Sequence, residues 1–312
     1  MGNTAFAGGP VHGAKAAAMG GAFVAVADDP SAILHNPAGL TNSKGTNIYS
    51  GATLVIPSSE YQSPSGLSED SKFQAYFPPH LYLSSDFHTD NMVFGLGLLS
   101  PFGIGGLSWS EQGLTRYAAT EGTTSTLAVN PTGAWQVTPW LSVGVGFYYQ
   151  HAFVNSAQMV DQSAMGVSDA KLSMKVNGGG WGYDLGILLF QGEKVSLGCA
   201  YRSSATTYLS GTATLERLAP MLQSLLGGSE FKTSVESSLE FPQVVSMGIA
   251  YRPTPAWTLA LDAEWLGWSS FGKMTLNLKD EVPAAGISDT TIALLYRDIW
   301  DIKFGLEYKV ND

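Results

Sequence analysis

Apolar residues alternate with small or polar residues along several widely separated segments of this chain. In residues 141–150, one set of alternate positions is apolar and the other carries serine, glycine, tyrosine and glutamine. The alternation returns at 195–202, 257–264 and 302–309, where every charged residue falls on the polar set. A strand that faces lipid on one side and a lumen on the other needs this period of two. The pattern predicts an all-β fold, a transmembrane antiparallel β-barrel.

The low charge of the chain agrees with membrane strands. Only 13% of its 312 residues are charged, against about 25% in soluble domains. No run of about 18 apolar residues occurs, which excludes a transmembrane helix. The net charge of −10 comes with scattered basic residues, so nucleic acid is not an expected partner.

Cysteine and histidine give no sign of a metal or redox centre. Cys199 is the single cysteine, which rules out an internal disulfide. The five histidines do not have the spacing of metal ligands. We therefore expect no cofactor, no metal site and no enzymatic activity.

About ten strands are predicted from the alternation and from the turn residues between the segments. Long connections are expected at 57–75, 103–120, 158–170, 210–230 and 280–292, and short ones at 88–91, 138–139, 191–193 and 253–256. Long loops on one side and tight turns on the other are typical of outer-membrane barrels. Leu215 to Leu226 is amphipathic and predicts a short helix in one long connection.

The residues before the first predicted strand, 13–40, are mostly small and close on Asn36-Pro37-Ala38-Gly39. Proline fixes its own φ and moves the preceding asparagine out of the helical region, so the motif predicts a stiff turn. An ordinary surface turn is one interpretation. Another is that residues 15–27 are part of a signal peptide.

The third predicted strand, 92–99, runs into Ser100-Pro101-Phe102-Gly103. A proline followed closely by a glycine, in a strand that should be paired on both sides, predicts a break in the hydrogen-bond ladder. In a closed barrel such a break leaves a gap or a sharp bend in the wall. The alternative is a strand that simply ends in a turn.

Taken in order, these features resemble the FadL/TodX type of outer-membrane transporters for long-chain fatty acids and other hydrophobic compounds. The resemblance runs over the whole chain, through NPAG, FPPHLYLSSDF, VFGLGLLSPFG, NPTGAWQVTPWLSVGVGFYYQ, GWGYDLGILL, SLGCAYRSS, LEFPQVVSMGIAYRPTPAW and YRDIWDIKFGLEY. It implies a protein of the Gram-negative outer membrane whose signal peptide is absent from this sequence.

The resemblance also assigns parts to the chain. It implies that residues 1–43 form a hatch, or plug, inside the barrel, with Asn36, Pro37, Ala38 and Gly39 as its defining motif, and that residues 44–312 form the barrel. It further implies that Ser100, Pro101, Phe102 and Gly103 mark a lateral opening in the wall. The family's barrel has fourteen strands, so we expect a C-terminally incomplete barrel, because an open edge in lipid is not tolerated. A complete ten-stranded barrel is the alternative.

The function implied is passive uptake of hydrophobic molecules by a monomer, with outer-membrane lipid as the environment. In the family a fatty-acid carboxylate meets basic side chains in the lumen, but Gln158 stands where the first of them is expected. This departure favours an uncharged hydrocarbon or aromatic ligand. Arg202, Arg252 and Lys303 are inward-facing candidates for ligand binding, unless they pair with the acidic side chains of the wall, which are Asp262, Glu264 and Glu307.

Two other functions are considered. A general porin needs a wide charged channel and no N-terminal plug, so an intact Asn36-Pro37-Ala38 motif argues against it. A barrel enzyme would need a nucleophile and a base, and His151 near Ser142 or Asp161 is the one dyad that can be imagined. Nothing in the sequence specifies that these side chains approach each other.

Overall fold

The computed structural model describes residues 11–310 of the chain. Before the first strand lie two short α-helices and a 3₁₀ helix, which are α1 (Ala14–Ala18), α2 (Ala32–His35) and η1 (Pro37–Asn42). The strands are β1 (Thr46–Ala52), β2 (Glu60–Gln62), β3 (Ser68–Asp70), β4 (Pro79–Ser85), β5 (Met92–Leu99), β6 (Ile104–Ser108), β7 (Glu121–Thr138), β8 (Leu141–Val160), β9 (Ala170–Leu189), β10 (Val195–Arg202), β11 (Ala205–Glu216), β12 (Glu230–Phe241), β13 (Val244–Thr254), β14 (Trp257–Leu266), β15 (Lys273–Leu278), β16 (Thr290–Ala293) and β17 (Ile299–Tyr308). Between strands lie η2 (Ser163–Met165), α3 (Pro220–Leu226), η3 (Trp268–Phe271) and η4 (Pro283–Ala285).

Fifteen of these strands form one antiparallel sheet. Its main path has the order β1-β4-β5-β7-β8-β9-β10-β13-β14-β17, and the other five strands, β6, β11, β12, β15 and β16, pair beside this path. Several long strands are interrupted once and continue on the same neighbour. Thus β5 and β6 both pair with β7, and β10 and β11 both pair with β9. When each interrupted strand is counted once, the path contains ten long strands, in agreement with the number predicted. The two strands outside this sheet, β2 and β3, form a separate hairpin inside the first long connection.

The alternation predicted from the sequence is confirmed by exposure. Phe147 is 62% exposed, whereas the next residue, Tyr148, is fully buried. In β17, Phe304 is 65% exposed and its neighbour Gly305 faces inward and is buried. The apolar set therefore forms the outer surface and the small or polar set lines the interior. Among the described residues, no helix is long and apolar enough to span a membrane.

Several strands are longer than the alternation alone predicts. β8 continues to Val160 and β11 to Glu216, so both extend into the long connections predicted at 158–170 and 210–230. Beyond the lipid band both faces of a strand can be polar, so the period of two fades although the hydrogen-bond ladder continues. The helix predicted from Leu215 begins only at Pro220, because proline suits the first helical position, where no N–H is needed.

The N-terminal residues 11–43, called the plug segment below, pack against the inner faces of strands on both halves of the sheet. Ile33 and Leu40 share a buried cluster with Tyr82 of β4. A second cluster joins Met19, Phe23 and neighbouring plug residues to alanines that face inward from β13 and β14. The plug segment therefore lies within the curve of the sheet.

Candidate ligand channel and plug

The plug segment touches the wall where inward positions of several strands are occupied by glycine. A Cβ at Gly144 of β8 would overlap the plug backbone at Pro37. One at Gly198 of β10 would overlap the carbonyl of Val24, and Gly305 of β17 meets the plug backbone in the same way. The small inner face predicted from the sequence is thus a contact surface for the plug, a role that the strand pattern by itself does not reveal.

The Asn36 side chain is fully buried and joins the plug to the wall. Its Nδ2 donates hydrogen bonds to the carbonyls of Val24, at 2.9 Å, and of Ile187 in β9, at 3.0 Å. Its Oδ1 accepts from the backbone N–H of Ala38 at 3.2 Å. A Cβ at Gly186 would overlap this side chain, so the glycine makes room for it.

The motif that begins at Asn36 is a junction between two helices rather than a simple turn. α2 ends at His35, Asn36 is extended with φ −162° and ψ 101°, and Pro37 begins η1. Proline disfavours a helical residue before it, which explains the extended Asn36. Gly39 lies against Ala27, where a Cβ would overlap the Ala27 carbonyl.

A side chain of the wall, that of Asp262, also binds the plug backbone. Oδ2 of Asp262 in β14 accepts hydrogen bonds from the N–H groups of Phe23, at 2.6 Å, and of Val24, at 2.8 Å. The sequence predicted that Asp262 faces inward, but considered it as a partner for a basic side chain. Nothing local could identify its true partners, since they lie more than two hundred residues away in the chain.

The predicted break after β5 is present. Leu99 pairs with Ala128 of β7 and Ile104 pairs with Ser125, so residues 100–103 face only residues 126–127. Gly103 has φ +82°, a conformation that favours glycine. Its N–H donates to the Ser100 carbonyl at 3.0 Å, which closes a turn. The strand therefore bends here and then continues on the same neighbour as β6.

Within the break, the Phe102 ring turns inward and packs on aromatic side chains from the far side of the lumen. Its centroid lies 5.0 Å from that of Phe241 and 6.1 Å from that of Trp268. Five rings, called the aromatic cluster below, are connected by ring contacts: Phe102, Phe241, Trp268, Phe271 and Tyr296. Three come from η3 and from the interruption between β16 and β17, where the chain is free to turn inward.

His12 connects the plug segment directly to the break. Its Nε2 lies 3.2 Å from the Ser100 carbonyl and donates to it, so its Nδ1 accepts from the Tyr82 hydroxyl at 3.0 Å. The His35 Nε2 in turn donates to the His12 carbonyl at 3.0 Å. Sequence reasoning found no role for these histidines, because the contact joins residues far apart in the chain.

A cavity of about 80 Å³ lies between these parts. Its walls come from the plug segment, from Pro101 and Phe102 of the break, and from strands β9, β10, β13, β14 and β17. One water needs about 10–15 Å³ of such volume, so the space holds more than a single water. Plug, break and lumen therefore share one cavity.

Two of the basic residues predicted to bind ligand, Arg202 and Lys303, line this cavity. The Arg202 Nε lies 2.9 Å from Asp184 Oδ1, and both side chains are buried. The Lys303 Nζ lies 3.1 Å from Glu264 Oε1 and 3.7 Å from Asp301 Oδ2. Pairing of Lys303 with Glu264 is one of the alternatives raised from the sequence. Asp184, the partner of Arg202, was not predicted.

The other two candidates, Gln158 and Arg252, lie away from the cavity. Gln158 is near the end of β8, opposite Leu172 of β9. Arg252 donates from Nη1 to Ser196 Oγ, at 2.5 Å, and to the Glu193 carbonyl, at 3.3 Å. The four predicted residues are therefore not brought together.

The dyad considered for an enzyme does not form in the described residues. Ser142 and His151 are nine positions apart on β8, which corresponds to about 30 Å along a strand. The Ser142 hydroxyl donates a hydrogen bond to Gln191 Oε1 near the short turn, whereas His151 contacts Tyr149 and Asn177. Oδ1 of Asp161 accepts from the N–H of Ser163.

Three similar proteins illustrate how this architecture compares with known ones. A crystal structure of a Pseudomonas aeruginosa FadL homologue has a TM-score of 0.77 at 20% identity, over 98% of this chain and 77% of that one. The Ralstonia pickettii toluene transporter TbuX has a TM-score of 0.75 at 21% identity, over 97% and 83%. A Neisseria meningitidis serogroup B protein designated as an outer membrane protein is 25% identical, over 99% of this chain and 76% of its own length.

A curved antiparallel sheet with an apolar outer face and an inner plug defines the class as outer-membrane β-barrels, a fold that the solved structures share. The model of one family, described as outer membrane protein transport protein (OMPP1/FadL/TodX), matches residues 7–312, and the chain belongs to that family. It is a protein of the Gram-negative outer membrane.

Proposed function

We propose that this protein lets hydrophobic molecules cross the outer membrane passively, with release through the wall beside Ser100–Gly103. The observation that carries the proposal is the shared cavity, which is walled by the plug segment and by Pro101 and Phe102 of the break at the same time. A ligand there would need only a small movement of the plug to reach the interrupted wall. Within the described residues, 11–43 act as the plug and 44–310 as the barrel of a monomer; the rest of the ranges predicted from the sequence, 1–10 and 311–312, lies outside the described part of the chain.

The ligand is an uncharged hydrocarbon or aromatic compound, with long-chain fatty acids as the alternative. The Ralstonia pickettii relative is a toluene transporter, and the basic residues that line the cavity are already paired with carboxylates. Large apolar side chains in the long connections, such as Phe73 and Met221, are more than 70% exposed and offer a surface for capture.

Release sideways has a physical reason. An apolar ligand gains nothing by entering periplasmic water, whereas each buried CH₂ contributes about 0.8 kcal/mol in the bilayer. The ligand therefore passes the aromatic cluster and enters the cavity. It leaves toward lipid when the hydrogen bonds of Asn36, Asp262 and His12 break. No nucleophile, base or metal takes part.

Substitution of Gly103 by arginine tests the lateral route. The long cationic side chain should obstruct the break, so uptake of radiolabelled toluene into cells should be lost while membrane assembly and ligand binding persist. Gly103→Ala is the matched control, because it carries the same backbone strain at positive φ without the bulk. Wild-type uptake by a correctly inserted Gly103→Arg protein would favour passage straight down the lumen. Swelling of liposomes by small sugars would instead identify a general porin.

A further inference from the structure

The cavity beside the plug has balanced charge, and this limits the ligands that it can accept. Its charged side chains are the cations Arg202 and Lys303 and the anions Asp184 and Glu264, which sum to zero. Each cation has a carboxylate at 2.9 to 3.1 Å. Desolvation by burial lowers the pKa of the His35 imidazole, also in the wall, and this favours its neutral form. A carboxylate entering this space would therefore bring an unbalanced charge into a buried site, which is costly.

The wall of the same cavity nevertheless contains buried hydrogen-bond donors that have no partner in the described part of the chain. Arg202 uses Nε in its contact with Asp184, and its guanidinium carbon lies 4.9 Å from the centre of the Tyr148 ring. Both terminal nitrogens, Nη1 and Nη2, are buried without an acceptor among residues 11–310, although the side chain is only 8% exposed. A guanidinium has five N–H donors, so most of those of Arg202 lack a partner.

An acceptor oxygen on a neutral ligand would satisfy these donors without adding charge. Most of the remaining wall is apolar and includes Val11, Leu34, Pro101 and Phe102. The volume of about 80 Å³ suits the oxygen-bearing end of a molecule, and the adjacent aromatic cluster suits its apolar body. Buried donors of this kind discriminate strongly against a ligand that leaves them unpaired.

We propose that the cavity is a binding site for the carbonyl oxygen of an uncharged hydrophobic molecule, such as an aryl ketone, and that Arg202 selects this group through its terminal N–H groups. The inference rests on the proposed function and narrows its ligand class. It distinguishes oxygenated neutral compounds from pure hydrocarbons and from carboxylates.

Three ligands of similar size test the site: acetophenone with a carbonyl, ethylbenzene without one, and benzoate with a carboxylate. Binding to the full chain in mild detergent is measured by equilibrium dialysis. Acetophenone should bind more tightly than the other two. Arg202→Met should weaken the binding of acetophenone about 10- to 100-fold, the contribution of one hydrogen bond from a charged group, and should change the affinity for ethylbenzene less than twofold.

Two further variants keep the result interpretable. Arg202→Met leaves Asp184 as an unpaired buried charge, so the double variant Arg202→Met/Asp184→Asn restores neutrality and should show the same selective loss. Arg252→Met removes a guanidinium outside the cavity and should change neither the affinity for acetophenone nor the affinity for ethylbenzene. Tighter binding of benzoate, or an equal loss for acetophenone and ethylbenzene, would overturn the carbonyl site while leaving a hydrophobic channel intact. If none of the three ligands bound, the proposed function would fall, and this inference with it.

Discussion

Different kinds of contact stabilise the interior at the two ends of the lumen. Toward the short turns, the plug meets the wall through backbone lying on glycines, through the amide of Asn36 and through the carboxylate of Asp262. Toward the long connections, the interior is filled by the aromatic cluster and by aliphatic side chains packed on it. Directional hydrogen bonds and close contacts between backbone and glycine tolerate little displacement. Aromatic rings, in contrast, can rotate and repack.

The two kinds of contact would respond differently to a ligand that follows the proposed route. A ligand descending from the long connections would displace side chains only. At the plug it would meet contacts that must break before anything passes, so on the proposed route the plug interface would determine whether the channel is closed. The break at residues 100–103 lies between the two regions, with Phe102 in the cluster and Ser100 bonded to His12 of the plug.

The largest effect should come from adding bulk at the plug interface. Gly186→Leu would place a side chain where Asn36 now sits, and overpacking of this kind costs about 1–3 kcal/mol or more. We expect the plug to be displaced, with rapid protease cleavage within residues 11–43. Gly133→Leu is the control, because a Cβ there meets only Phe94 on the outer face at ordinary distance. Equal protease resistance of the two variants would contradict the idea that the plug interface is more rigid than the aromatic cluster.

A smaller effect is expected when one hydrogen-bonding side chain is removed from the same interface. Asn36→Ala removes the side-chain donor to the carbonyls of Val24 and Ile187, at about 1–3 kcal/mol for the buried groups. Hydrogen exchange of residues 20–40, followed by mass spectrometry, should become roughly 5- to 100-fold faster, while insertion is unchanged. Asn47→Ala, which removes local contacts at the exposed start of β1, serves as the control. Unchanged exchange in Asn36→Ala would mean that the motif is only a helix junction.

The smallest effect on stability should come from the aromatic cluster. Phe271→Leu keeps the site apolar and reduces its volume moderately, so the free energy of unfolding should fall by no more than about 1.5 kcal/mol. Uptake should change more than stability does, because a ligand passes these rings. Urea unfolding in detergent and toluene uptake measure the two quantities. A large loss of stability with normal uptake would show that the cluster is a rigid core and not part of the path.

The wall could be predicted from the sequence, since lipid on one side and lumen on the other impose a period of two on every strand. Phe147 and Phe304 were correctly predicted to face outward, and Asp262 inward. The break after Leu99 was also predictable, because proline and glycine act on the local backbone. Strand ends such as Val160 were missed where the alternation fades.

The chain by itself therefore determined the wall, its inner and outer faces and the place where it is interrupted, because these follow from local backbone chemistry and from the environment on each side of a strand. Only the tertiary structure decided what the inward residues do. The pairing of Arg202 with Asp184, the binding of the plug backbone by Asp262 and the contact of His12 with Ser100 join residues far apart in the chain. Such contacts depend on how the strands curve around the plug, and no local period encodes that geometry.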